Sequence, residues 1–362
     1  MESTLFSPLE IGPMTVPNRI AVPPMCMYSA KLGVAQPFHF GHYAKLAQSG
    51  AGLVCIEATA VTPDGRISDG CLGLWSDECE EGMTRLVSAM RSAAPHCKVF
   101  IQLNHAGRKA SNGIAWVHPG PLSIAEGGWR VRAPSEIAFS ADSPKPLPLD
   151  YDECGKLVQA FAEAAKRAVR AGVDGIEIHM AHGYLIHQFL SPLSNVRIDE
   201  YGGAFDNRSR FAREVMKAVV MAVPETVAVG LRVSATDWRE DGWQPEETVD
   251  LVKQAKAEGL CFVDVSTGGN TPDADIPIGP GYQVPFASQI RAATRLPTFA
   301  CGLITQPWQA ETILRAGDAD MIDIGRAMLD DPNWGWHAAR ALGVKKVPGL
   351  EIAPQYARGL HL

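Results

Sequence analysis

The eight cysteines of this chain form no C-x-x-C pair and no cluster, so the sequence offers neither a disulfide framework nor a zinc ribbon. It has no block of Lys or Arg, and its net charge of −7 is spread along the chain. Nucleic acid is therefore not expected as a partner. No apolar stretch reaches membrane-spanning length without a charge or a proline, so no membrane association is expected. The opening MESTLFSPLEIGPMTVPNRI lacks the basic and continuous apolar regions of a signal peptide. Reduced thiols and a cytoplasmic location are the expectation. No G-x-G-x-x-G follows an apolar run, which weakens a dinucleotide-binding open sheet. No lysine lies within a strand-like run, apart from Lys98 at the edge of one, which disfavours Schiff-base chemistry.

What the chain does have is a real core: 46% of its 362 residues are apolar and 20% charged. Eight short apolar runs recur, at 19–24, 52–58, 98–104, 175–180, 227–234, 262–266, 297–302 and 321–325. Amphipathic segments alternate with them, near 38–48, 80–93, 152–171, 206–222, 246–258, 284–294, 307–316 and 332–342. Strands that are hydrophobic throughout, each followed by a helix, predict a parallel sheet covered on its outer face. Closure into a (β/α)8 TIM barrel is the natural outcome, with a doubly wound open sheet as the competitor. Two segments exceed ordinary loop length: 107–149 after the third strand, and a Pro/Gly-rich tail over 344–362. Cys55, Cys261 and Cys301 fall in apolar runs, where cysteine acts as a small hydrophobe.

In such a barrel the reacting groups lie at the C-terminal strand ends. Gly302 after the seventh strand, and Gly325 with Arg326 after the eighth, suit a phosphate group. The fourth strand ends in IEIHMAHGYL, with His179, His182 and Tyr184 together. Three readings stay open: metal ligands, satisfied structural histidines, or two neutral donors to one substrate oxygen with a phenol as proton source. The third implies an organic redox cofactor, because the chain itself supplies no hydride. A barrel cofactor with a phosphate tail fits FMN.

Longer motifs narrow the choice: PNRIAVPPMCMYSA, EATAVTPDGRIS, QLNHAGRKAS, IEIHMAHGYLIHQFLSPLSNVRIDEYGGAFDNRSRF and IGRAMLDDPNW. With them, the sequence resembles the old yellow enzyme family of FMN-dependent ene-reductases, specifically its thermophilic-like class with the xenobiotic reductases. The resemblance implies a single FMN-binding barrel domain over 1–362. It implies FMN held by Pro23, Pro24, Met25, Cys26, Ala60, Gln102, Arg232, Gly302, Gly325 and Arg326, with NADPH or NADH as reductant. His179 and His182 would bind an electron-poor alkene through its activating oxygen, and Tyr184 would protonate it. Tyr28 and Lys109 would contact the substrate, joined by Arg358 of a neighbouring subunit in a homodimer or dimer-based tetramer. Pro23 stands where many relatives carry a hydroxyl or small residue, and Leu360 where an aromatic is common. A flavin-binding redox sensor using Cys26, another flavin barrel oxidoreductase and a metal-dependent barrel using His179 and His182 remain as alternatives.

Overall fold

The eight apolar runs become parallel strands because neither of their faces meets water. In the computed structural model, which describes residues 3–346 and 351–359, they are β1 Ile20–Val22, β2 Leu53–Ala60, β3 Lys98–Asn104, β4 Gly175–Met180, β5 Ala228–Ser234, β6 Phe262–Ser266, β7 Thr298–Ala300 and β8 Met321–Asp323. They pair in sequence order, and β8 closes on β1 through Ile322↔Ile20 and Asp323↔Ala21. Every residue of β2, β4, β5 and β6 is buried. The closed barrel replaces the open-sheet alternative.

The principal outer helices are α1 Pro37–Ala47, α2 Asp77–Ala93, α3 Tyr151–Ala171, α4 Arg210–Ala222, α5 Pro245–Ala257, α6 Val284–Thr294, α7 Pro307–Ala316 and α8 Trp334–Ala341. In α3, the Asp150 carboxylate accepts from the Glu153 N–H at 2.8 Å, and Glu153 returns the bond at 2.9 Å. Gly172, at φ +92°, ends the helix. Helix α2 starts three residues earlier than its apolar spacing predicts. Ser76 caps it, and Asp77, Glu78 and Glu80 favour the positive end of the helix dipole.

Apolar periodicity gives no hint of an N-terminal hairpin, yet Leu9–Ile11 and Met14–Val16 form one. Three-residue strands are too short to show a period. Ile11 and Val16 pack against Phe100, Phe262, Phe299 and Met321, which plugs the barrel end where the strands begin. Inside, the Phe262 ring lies 5.3 Å from Phe100 and 5.2 Å from Phe299. The strand C-termini are left as the open end.

The 107–149 segment contains short 3-10 turns at Gly107–Lys109 and Ile124–Glu126, and a parallel pair between Arg132–Ala133 and Leu147–Pro148. Trp116 is exposed and places its ring 5.8 Å from Tyr28. Trp129 is half-buried and donates from Nε1 to the Asp64 carbonyl at 2.8 Å. Two further long connections, 181–209 and 267–283, went unmarked by composition and also belong to the open end.

The described part of the tail, 351–359, borders a cavity of about 700 Å³ with Lys45, Gln48 and Trp336. Arg358 lines this cavity, which none of the strand-end residues above borders. Residues 347–350 and Leu360 lie outside the described residues.

Candidate active site

The turn after β4 is held in a shape that ordinary residues resist. His182 sits at φ +58°, a left-handed conformation costing an L-residue about 1–2 kcal/mol. Its N–H donates to Ser234 Oγ at 2.9 Å, and its carbonyl accepts from Lys109 Nζ at 2.8 Å. Glycine is obligatory beside it. A Cβ on Gly183 would lie 2.3 Å from the Gly269 carbonyl oxygen, and one on Gly269 would lie 2.8 Å from His182 Cα. The turn then enters a short helix, Leu185–Leu190, whose N-cap is Tyr184.

This turn brings three rings together. His179 lies 5.2 Å from His182 and 5.0 Å from Tyr184, centroid to centroid, both edge-on. The Ala181 N–H donates to His179 Nδ1 at 3.4 Å, which leaves the hydrogen on Nε2. Burial, followed by the charge of Arg232, pushes both imidazoles well below the usual histidine range. They are neutral at pH 7. Burial, with Cys26 and Tyr28 nearby, raises Tyr184 well above an ordinary phenol, so it keeps its proton. The same cause raises the Cys26 thiol well above its ordinary range, which disfavours its thiolate.

A second cavity, of about 310 Å³, opens beside the rings. It is bordered by Pro23, Pro24, Met25, His182, Arg232, Gly302, Gly325 and Arg326. Cys26, Tyr28 and Tyr184 pack on one adjoining apolar cluster with Ala58, Cys71 and Ala106. Ala60 ends β2 fully buried, paired with Asn104 of β3. Gln102 lies buried, its amide nitrogen donating to Glu177 Oε1 at 2.7 Å. Lys109 donates to the His182 and Gly269 carbonyls, at 2.8 and 2.9 Å, and its ammonium lies 5.1 Å from the Tyr184 ring centroid. Two of its donors are thus committed to backbone that shapes the turn. Arg358 stands apart from this site within the chain.

The floor of this cavity is polar in a way the apolar runs did not suggest. Arg232 Nε lies 3.0 Å from Asp264 Oδ2. Burial alone would lower the guanidinium, but Asp264 and its neighbours raise it. Burial pushes Glu177 up to about 8, and Asp323 well above its usual range, with Asp264 adding to both. Cys301 does more than fill space: it lies one residue past β7 and its sulfur accepts from Gln283 Nε2 at 3.1 Å. The missed signal was a single acid inside an apolar run, repeated in IEI, FVDVS and MIDIG. Another such acid, Glu57, accepts from the Met27 N–H at 2.9 Å and fixes the loop carrying Cys26 and Tyr28.

Among the described residues, Asp264, Cys301 and Asp323 form the one group close enough to share a metal, and neither histidine belongs to it. The Arg232 guanidinium already lies against Asp264 and Cys301. A fixed cation there opposes a second one.

The arrangement suits a planar cofactor with an acidic tail. Arg232 is a buried cation with donors beyond those facing Asp264, beside a cavity whose far rim carries exposed Arg326. The profile of the NADH:flavin oxidoreductase / NADH oxidase family matches residues 4–343. The chain belongs to that family. An NADPH dehydrogenase of Geobacillus thermodenitrificans is 44% identical over 99% of both chains. One of Bacillus licheniformis is 46% identical over 98% of each. The structure of morphinone reductase in complex with tetrahydroNAD superposes with a TM-score of 0.77 at 26% identity, over 98% of this chain and 94% of that one. This member of the family is an NAD(P)H-dependent flavin oxidoreductase of the old yellow enzyme type, with FMN as its flavin. No helix among its described residues is long and apolar enough to cross a membrane.

Proposed function

We propose that this enzyme reduces the activated C=C bond of α,β-unsaturated carbonyl, imide or nitro compounds. The observation that carries the reading is the pair of neutral imidazoles, 5.2 Å apart, beside a protonated phenol. Two neutral donors polarise one oxygen without adding a charge that water would compete for. The chemistry that FMN would supply when bound is the relay of a hydride between NAD(P)H and the substrate β-carbon.

Everything else falls to side chains. His179 donates from Nε2 to the activating oxygen, and His182 donates beside it. Both stabilise the negative charge that gathers there as the alkene is reduced. Tyr184 holds the proton for the α-carbon, with its ring fixed between His179 and Lys109. Arg232 would face the cofactor edge that gains charge, and Gln102, oriented by Glu177, would hydrogen-bond it. Pro23 to Cys26 and Ala60 would line its ring, with Pro23 offering no N–H. Gly302, Gly325 and Arg326 would hold its phosphate.

Removing one charged hydrogen-bond partner costs about 1.5–3 kcal/mol. Arg326→Ala is therefore expected to weaken FMN binding roughly 10- to 150-fold, read by fluorescence titration of the apoprotein. Unchanged affinity would move the phosphate elsewhere. The reading as a whole is tested by following the visible spectrum anaerobically. NADPH should bleach the flavin, and cyclohexenone should restore it. A flavin that bleaches but is not reoxidised by enones, enals, maleimides or nitroalkenes would leave an NADPH dehydrogenase with another electron acceptor.

We further propose a homodimer or dimer-based tetramer in which Arg358 serves a neighbouring site, since its own chain holds it away from the histidines.

A further inference from the structure

A site used by two ligands in turn places unlike demands on the same imidazoles. A nicotinamide carboxamide presents an acceptor oxygen and a donor NH2, whereas an enone or nitro oxygen only accepts. His179 is committed, with Nδ1 accepting from Ala181 and Nε2 carrying the hydrogen. His182 is not. Its Nε2 lies 2.7 Å from Ser266 Oγ, and either atom can donate.

The Ser266 hydroxyl has a second acceptor, Gln283 Oε1, at 3.1 Å. The Gln283 amide is oriented by Cys301. That thiol donates its hydrogen to the Val265 carbonyl at 3.4 Å, so its sulfur accepts from Gln283 Nε2 at 3.1 Å. The amide oxygen is thereby turned toward Ser266 and Thr267. Thr267 Oγ1 donates to it at 2.7 Å. Gln283 Oε1 therefore keeps a hydrogen bond whichever way Ser266 points, and rotating that hydroxyl orphans no buried acceptor.

We propose that Ser266 is a positioning residue whose hydroxyl rotation selects between the two neutral tautomers of His182, making its Nδ1 an acceptor for the nicotinamide NH2 in one step and a donor to the substrate oxygen in the next. This rests on the alkene-reductase reading above. With the hydroxyl directed to Gln283, Oγ accepts from His182 Nε2–H, and Nδ1 is bare. With it directed to Nε2, the ring hydrogen resides on Nδ1. The exchange occurs between ligands: Nδ1 takes a proton from water in the cavity that His182 and Ser266 line as Nε2 gives one up to that water through Ser266 Oγ, so the ring stays neutral and its proton count is unchanged. The charged and titratable neighbours of His182 are Arg232, His179, Lys109 and His187. The cations among them disfavour a charged imidazolium and leave two neutral forms to choose between.

The test is nitrogen-15 NMR of histidine-labelled holoenzyme, with a non-reducing tetrahydro-NADPH analogue and, separately, para-nitrophenolate. The expected result is a protonated Nε2 with an unprotonated Nδ1 under the nicotinamide analogue, reversed under the phenolate. Ser266→Ala is expected to weaken both ligands about 2- to 12-fold, the loss of one neutral hydrogen bond, and Ser266→Thr to restore them. The same His182 tautomer under both ligands would overturn the switch while leaving the alkene-reductase reading intact. If neither ligand perturbs the flavin spectrum, that reading fails, and the switch falls with it.

Discussion

Replacing Tyr184 with phenylalanine is expected to slow reoxidation of the reduced enzyme by an enone about 10²–10⁴-fold, the usual worth of a positioned proton donor. Reduction of the flavin by NADPH should be unchanged, because hydride transfer from nicotinamide asks for no proton from the phenol. The substitution is clean. The ring packs 5.0 Å from His179 and 5.1 Å from the Lys109 ammonium, and phenylalanine keeps that packing. The hydroxyl also stays in its acid form at any pH the enzyme meets, because burial first, then Cys26 and Tyr28, hold its proton tightly. Stopped-flow measurement of the two half-reactions separates the outcomes. An equal loss in both would remove the proton-donor role and make Tyr184 a packing residue.

The second large effect lies beneath the site. Asp237, fully buried, receives His187 Nε2 at 3.1 Å on Oδ1. On Oδ2 it accepts from Ser191 Oγ at 2.5 Å and from the Trp243 N–H at 3.0 Å. His187 in turn accepts from the Gly183 N–H at 2.9 Å, so one carboxylate anchors the turn between His182 and Tyr184. Asp237→Ala is expected to cost about 3–5 kcal/mol of stability, because His187 Nε2, the Ser191 hydroxyl and the Trp243 N–H lose their buried acceptor at about 1–3 kcal/mol each. Urea unfolding of the holoenzyme reads it, and a loss below about 1 kcal/mol would demote this anchor to a surface-grade contact.

Acid should act on the same group. Burial raises the Asp237 carboxyl, but His187, Ser191 and the Trp243 N–H outweigh that and bring it down to about 2. An unfolded aspartate titrates near ~3.9. The stabilisation is therefore present above about pH 4 and is lost as the pH falls through about 2. In Asp237→Asn this acid dependence should flatten, and an unaltered profile would assign the acid sensitivity to other carboxylates.

Much of the architecture was legible in the chain. The eight apolar runs fell within a few residues of the eight strands, because a strand buried on both faces tolerates few interruptions. The placement of His179, His182 and Tyr184 followed from one turn, since six residues of chain keep them close in any fold. Gly302, Gly325 and Arg326 border one cavity, because adjacent strand ends in a barrel converge on the same rim. The hairpin plug was not legible, as its contacts lie with Phe100, Phe262, Phe299 and Met321, far along the chain.

Local periodicity and the short reach of a βα turn were enough to specify the barrel, its open end and the chemical groups present there. How those groups are set depends on the neighbours that folding brings. The protonation of His179 and Tyr184 follows from burial and from Arg232, Cys26 and Tyr28, which arrive from distant parts of the chain. The direction of the His182 ring hydrogen depends on Ser266 and Gln283, more than 80 residues away. The acids Glu177, Asp264 and Asp323 look solitary in the chain and become one group only where β4, β6 and β8 face a common axis. Hydrogen-bond partners and desolvation are properties of three-dimensional neighbours, and no pattern along one segment specifies them.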